Sequence, residues 1–294
     1  MRIVMCPLVS RDMPRAIRCV RSCQHQFPTK TLDVDIVVII NSLDNHFVHS
    51  FAEWCEFNDV KYKITRSNGT APRGKNSILD FFLNSDYDGC SILDGDDVWY
   101  PTSMQQIERH LVRHPGTDIL IVKPGDTVVN RELEHYLHIK DDLWGLLWGN
   151  NIFSLKYIYG PGPHAMFSEG HWACRNLGGH IFYSRKLATR MRYDEEQLLG
   201  EDLLSEFEML KLHQEGEITF WCSFASDVQI LDRSMNDNIQ SKLADKEQFY
   251  YTRIIEKVRE ILPVDRSSFH ELPVEFPPML FSYQQKVEFI REFF

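Results

Sequence analysis

The sequence predicts an α/β fold: an open, mostly parallel sheet flanked by helices. Three observations carry this. Short apolar runs alternate with longer amphipathic stretches over the first 125 residues. One run, Val34 to Ile40, is almost wholly β-branched or aliphatic, the mark of a strand covered on both faces. The resulting β-α-β-α order is that of an open, mostly parallel sheet with helices on both faces.

Taken in order, Ile3 to Val9 reads as a strand and Met13 to Gln24 as a helix. The strand Val34 to Ile40 leads to a helix over Asn45 to Phe57, then a strand at Lys61 to Thr65. Lys75 to Leu83 reads as helix, Cys90 to Leu93 as strand, Thr102 to His114 as helix and Asp118 to Val122 as strand. The pattern breaks from Lys123 to His171, where Gly, Pro, Trp and Tyr dominate, and this stretch is expected to be an inserted loop region. Order returns at residues 178–191, a strand running into a helix. A helix over Asp202 to Gln214 comes next, then one or two strands within Ile218 to Ile230. Asp245 to Ile261 is an amphipathic helix, and the proline-rich tail after Pro263 is expected to pack as an extended arm.

Composition narrows the function. A net charge of −10 excludes a chain that wraps nucleic acid with its whole surface, though not a local basic groove. The seven cysteines are scattered and odd in number, and Cys19 and Cys23 have no second pair to complete a zinc pattern. Reduced thiols and a cytoplasmic location are the expectation. No apolar run approaches the ~20 residues that a membrane helix needs, so integral membrane contact is not expected.

The segment with most chemistry in it is SILDGDDVWYP, residues 91–101. An apolar strand ends at Leu93, and Asp94, Asp96 and Asp97 come after it around Gly95. Three carboxylates so close repel unless a cation joins them, and hard ions such as Mn²⁺ or Mg²⁺ take oxygen ligands while leaving positions for phosphate. A solvated acidic turn explains the same letters about equally well. An EF-hand is excluded, because residue 105, where its Glu would fall, is Gln. Upstream, RSNGTAPRGKN at 66–76 offers Arg73 and Lys75 at a helix start, a place suited to phosphate or ribose. Downstream, LLGEDLLSEFEML at 198–210 puts Glu201 and Asp202 at another helix start, where the dipole favours ionised carboxylates.

In their order these three segments, together with GG…SRKL at 178–187, resemble the GT-A-fold glycosyltransferases of the inverting family 2 type. The resemblance covers residues 1–235. It implies a Rossmann-like GT-A domain there, with 1–125 as the nucleotide-sugar half and 171–235 as the acceptor and catalytic half. Residues 236–294 then form a C-terminal helical extension packed on the body. The resemblance implies that Asp96 and Asp94 bind Mn²⁺ or Mg²⁺, and that Asp94, Asp97, Asn41, Arg73, Lys75 and Asn76 lie along the donor, a UDP-sugar. Asp202 becomes the general base with Glu201 in support, and Gly178, Gly179, Trp172 and Arg185 fall on the acceptor side. Two departures stand out. The second strand ends Asn41-Ser42-Leu43-Asp44 without the family's base-reading acids, and no His lies in 218–231 to complete the metal site, leaving Asp227 as a weak substitute.

The implied activity is metal-dependent inverting transfer of a sugar to an acceptor hydroxyl on a glycan, a small molecule, a protein side chain or a hydroxylated base in DNA. Arginines 11, 15, 18 and 21 on the first helix, and Arg185, Lys186, Arg190 and Arg192, are the basic clusters that could meet DNA phosphates. A sugar-phosphate nucleotidyltransferase is the main alternative, but the segment after the first strand, CPLVSRDMPRAIR, lacks the glycine-rich loop such enzymes show. A non-catalytic sugar-binding module is the third reading.

Overall fold

The computed structural model describes residues 1–122, 126–129, 134–137, 179–223, 225–232, 249–250, 253–254, 256–257 and 273–294. The strands of its main sheet are β1 (Arg2–Val9), β2 (Asp33–Ile36), β3 (Val38–Ile40), β4 (Tyr62–Ile64), β5 (Gly89–Asp94), β7 (Ile119–Val122), β10 (Gly179–Ser184), β11 (Phe220–Ser223) and β13 (Val274–Glu275). They lie in the order β13-β11-β7-β10-β5-β1-β3-β4, with β2 also paired to β1. All pairings in this sheet are parallel except those of β10, which runs antiparallel between β5 and β7. A smaller sheet joins β6 (Val98–Trp99), β12 (Gln229–Asp232), β8 (Asp126–Val129) and β9 (Glu134–Leu137).

The helices are α1 (Met13–Gln24), α2 (Asn45–Phe57), α3 (Ala71–Leu83), α4 (Ser103–Arg113), α5 (Arg185–Ala188), α6 (Glu201–Gln214) and α7 (Tyr283–Phe293). The expected bounds of α1 and α2 match. Asp44 explains the start of α2, since its carboxylate accepts from the backbone N–H groups of His46 and Phe47. Helix α3 begins four residues earlier than the expected Lys75. Thr70 caps it by accepting from Arg73 N–H, and Pro72 sits in the first turn, where its missing N–H costs nothing. The segment RGKN is therefore helix, and the amide of Gly74 is already bonded to the Thr70 carbonyl. Gly74 lets α3 lie close on β1: a Cβ there would meet the Leu8 methyls at 2.8 and 2.9 Å.

The tail after Pro263 is not only an extended arm. Val274–Glu275 adds an edge strand beside β11, and α7 comes after it, opened by a capping box between Ser282 and Gln285. Phe281, Phe289 and Ile290 bury against Val98, Tyr100 and Ile230. Asp227 holds this segment down. It is fully buried and accepts from the backbone N–H of Leu280 and Phe281 at 2.6 and 3.0 Å and from Gln106 Nε2 at 2.8 Å. Its place as a substitute metal ligand is thereby corrected, because its oxygens are committed to protein donors.

Candidate active site

Strands β1, β3 and β5 run side by side and end together, with Leu8 opposite Asp94 and Val9 opposite Ile40. Ligands of open α/β sheets bind beyond such carboxyl ends. Asp94, the last residue of β5, is 47% exposed there. Only glycine fits at residue 95: a Cβ on it would lie 2.4 Å from the backbone oxygen of Leu8, which cannot move aside. The glycine thus lets the acidic turn fold against the end of β1.

Into this place α3 sends Lys75 and α6 sends Glu201 and Asp202. Lys75 is buried, and its Nζ lies 2.5 Å from Asp202 Oδ1, 3.2 Å from Glu201 Oε1 and 3.9 Å from Asp94 Oδ1. One ammonium therefore serves three carboxylates, the farthest of them 127 residues from it in sequence. Burial by itself would push Lys75 down, but Asp202, Asp94 and Glu201 together hold it well above the usual lysine range. Glu201 responds in the opposite sense. Burial pushes its carboxyl up to about 7, with Asp202 and Asp94 adding to the rise and Lys75 opposing it.

Beneath the lysine lies a buried network that sequence reasoning missed. The Tyr193 ring centroid is 5.4 Å from Lys75 Nζ, within cation–π range. Its hydroxyl pairs with Tyr183 Oη at 2.6 Å, and His180 Nδ1 is 2.6 Å from Tyr183 Oη and 3.1 Å from Tyr193 Oη. The other His180 nitrogen lies 3.2 Å from Glu206 Oε1. Both tyrosines are pushed well above the usual phenol range, foremost by burial, so they stay neutral and hydrogen-bonding. His180 is thus structural. The only sequence hint was the tyrosine spacing, which alone does not bring these rings together.

The other expected site residues divide. Asp96 stays on the partly exposed side of the turn, beside Asp94. Asp97 points inward: it is 4% exposed, its Oδ2 accepts from Gln229 Nε2 at 2.9 Å and its Oδ1 from Asp232 N–H at 3.1 Å. It fixes the turn to β12 and does not face a donor. Gly179 packs on the same Gln229, since a Cβ there would meet Gln229 Oε1 at 1.9 Å. Asn76 also turns inward, donating to the Tyr193 carbonyl at 2.9 Å and accepting from Tyr193 N–H at 2.9 Å. Arg73 pairs with Glu195 at 3.2 Å, which braces the same segment. Asn41 is buried and donates to Thr65 Oγ1 at 2.7 Å. These three side chains are engaged in contacts within the protein. Trp172 and Gly178 lie outside the described residues.

Arg185 is a correction. It comes directly after Ser184, which pairs with Gly89 at the start of β5, and Asp94 stands at the other end of that strand. At ~3.3 Å per residue the two ends are ~16 Å apart. Its guanidinium donates to the carbonyl of Leu83, at the end of α3, and to those of Ser85 and Tyr87 in the segment after it. The neighbouring basic residues are paired as well: Lys186 with Asp118, Arg190 with Glu217 and Arg192 with Asp80. On α1, Arg15 and Arg18 both bind the fully buried carboxylate of Asp232.

Solved structures with the same architecture include those of S. aureus TarS. With the TarS 1–349 structure in complex with UDP-GlcNAc the TM-score is 0.56 at 15% identity, over 90% of this chain and 68% of that one. The fold is the GT-A fold. The complex of TarS 1–349 with UDP gives 0.54 at 16% identity over 90% and 67%. Against the longer TarS chain the values are 0.54 and 15%, and this chain spans only 41% of its length. No protein-family model and no curated protein sequence matches this chain. Among the described residues no helix is long and apolar enough to cross a membrane.

Proposed function

We propose that this chain is a metal-dependent, inverting glycosyltransferase that moves a sugar from a nucleoside-diphosphate donor to an acceptor hydroxyl. The observation that carries the proposal is the meeting of Asp94, Glu201 and Asp202 on the buried ammonium of Lys75, at the carboxyl ends of β1 and β5. Inverting transfer needs two things there: a cationic seat for a leaving diphosphate, and a carboxylate to take the acceptor's proton. Both are within one cluster. The complexes of TarS with UDP and UDP-GlcNAc support a UDP-sugar as the donor.

Asp94 and Asp96 fit Mn²⁺ or Mg²⁺ by chemistry, being hard oxygen donors on a turn that Gly95 holds against β1. Such an ion, when bound, neutralises charge on the diphosphate. Lys75 adds its own positive charge on the same side and lies between Asp94 and the Glu201–Asp202 pair. A diphosphate arriving at Asp94 competes for that ammonium and loosens its hold on Asp202. Asp202 then accepts the proton as the acceptor oxygen forms its bond to the anomeric carbon and the bond to the diphosphate breaks. Glu201, pushed up to about 7, holds a proton for part of the time at neutral pH and hydrogen-bonds the acceptor or its partner carboxylate.

For the acceptor we favour a glycan or small molecule over a base in DNA. Of the basic residues that would meet DNA phosphates, Arg15 and Arg18 are engaged with Asp232 and Arg192 with Asp80, and the 185–192 group lies at the far end of the sheet. A thermal-shift panel of nucleotides and nucleotide sugars, with and without Mn²⁺, tests the donor. Stabilisation by a UDP-sugar that depends on Mn²⁺ is expected. Stabilisation by sugar phosphates together with free nucleoside triphosphates, and not by nucleotide sugars, would instead support a nucleotidyltransferase.

A further inference from the structure

Away from the acidic turn, α4 and the edge strand β13 bring together a second set of ligand-type side chains. His110 and His114 are four residues apart at the end of α4, a spacing that puts two imidazoles on one helix face. Glu275 of β13 points between them. His110 Nδ1 lies 2.6 Å from Glu275 Oε1, and His114 Nε2 lies 3.5 Å from Glu275 Oε2. One ligand atom from each of the three residues falls within 4.8 Å of the others. Among the described residues this is the one group of three or more such side chains that meets that condition.

The surroundings are those of a prepared site. His110 is 1% exposed and Glu275 11%. His114 is held by stacking on Trp221, with ring centroids 3.8 Å apart, and Trp221 also meets His110 edge-on at 5.3 Å. The second nitrogen of His110 is 3.0 Å from Thr117 Oγ1, the outer contact that fixes the ring of a metal-binding histidine. Glu275 Oε2 is buried without a hydrogen-bond partner, although it faces His114. Its cationic neighbour is Arg113, with Nη1 at 3.9 Å, and a buried carboxylate oxygen without a hydrogen bond beside two imidazoles is a group that a closer cation satisfies.

We infer that His110, His114 and Glu275 bind a divalent transition-metal ion of the Zn²⁺ class, which clasps the C-terminal segment to α4. Two imidazoles and one carboxylate form a common Zn²⁺ donor set with room for a water or a fourth ligand. The place suits a clasp, because protein hydrogen bonds already tie the same segment to the same region: Gln106 Nε2 to the Pro278 carbonyl at 3.1 Å, and Asp227 to the backbone of Leu280 and Phe281. The site shares no residue with the carboxylate cleft, so it stands independently of the proposed transferase chemistry.

The test uses the full chain, stripped with chelator, dialysed and titrated with Zn²⁺ alone, with bound metal measured by mass spectrometry and Tm by calorimetry. One equivalent of Zn²⁺ and a higher Tm are expected. His114→Ala and Glu275→Gln, both at partly exposed positions, should each lose that equivalent and the Tm gain. The Asp94→Asn/Asp96→Asn variant should keep both. Co²⁺ loaded in place of Zn²⁺ should give the visible absorption of a histidine-ligated centre in the wild-type chain and not in His114→Ala. A wild-type chain that retains no Zn²⁺ overturns the inference without reference to any variant. So does an equivalent that survives both His114→Ala and Glu275→Gln, or one lost with the acidic-turn variant.

Discussion

Replacing Glu201 by Gln should stabilise the protein, and more so as the pH rises. Burial pushes the Glu201 carboxyl from an ordinary 4.5 up to about 7 in the folded chain. Between those pH values the folded state keeps a proton that the unfolded state has released, so stability falls as pH rises through this window. Below 4.5 both states hold the proton and the group costs nothing. Above about 7 both have lost it and the full cost is present. The gap, at ~1.4 kcal/mol per pH unit, caps that cost at roughly 3 kcal/mol. Gln keeps the size and the hydrogen bonding without the charge, and Lys75 retains Asp202 and Asp94 as partners. Urea unfolding of both chains should give Glu201→Gln an advantage of ~2–3 kcal/mol near pH ~8, shrinking to under ~1 kcal/mol near pH ~5. An equal difference at both pH values would refute the reasoning, because the effect would not then come from the proton. A destabilised Glu201→Gln at pH ~8 would refute it too, showing that Lys75 needs all three carboxylates.

Other consequences are simpler. Asp202→Asn should leave Mn²⁺-dependent donor binding within about threefold of wild type, while turnover falls by roughly 10²–10⁴, the usual worth of a positioned base; retained turnover would remove Asp202 from that role. Gly95→Ala, whose Cβ would sit 2.4 Å from the Leu8 carbonyl oxygen, should lower stability by ~1–3 kcal/mol and weaken donor binding as well, read by urea unfolding and calorimetry. Duplex DNA should not shift in a gel at low salt, since Arg15, Arg18, Lys186, Arg190 and Arg192 are engaged in ion pairs; retention that weakens steeply with salt would restore DNA as the acceptor.

How much of this was legible in the sequence depends on how far each feature reaches along the chain. Local signals read well: the β-branched run at 34–40 and the acidic turn at the end of an apolar strand both act within a few residues. Two further local signals carry boundaries that periodicity alone does not give. Thr70 with Pro72 marks the true start of α3, and Ser282 with Gln285 marks the helix in the tail. The rest is non-local. Nothing near Gly179–Ser184 announces that this strand enters antiparallel between β5 and β7, and that insertion alone sends Arg185 to the wrong end of the sheet for an acceptor contact. The same limit hid the role of Lys75. A lysine in a polar segment reads as a donor contact, and only the fold reveals that it is buried among carboxylates from α6 and β5. Asp97 and Asn76 mislead for the converse reason: both look like ligand groups in sequence, yet their hydrogen bonds are satisfied within the protein.

The proposed function requires that the acidic turn and Lys75 form a metal-dependent seat for a nucleotide sugar. Isothermal calorimetry of a UDP-sugar on the wild-type chain and on Asp94→Ala/Asp96→Ala, each with and without Mn²⁺, tests it most directly. Binding to the wild type with Mn²⁺, weakened at least tenfold without it and absent from the variant, is the predicted result. Equal binding by the variant, or binding to the wild type that is indifferent to Mn²⁺, would contradict it.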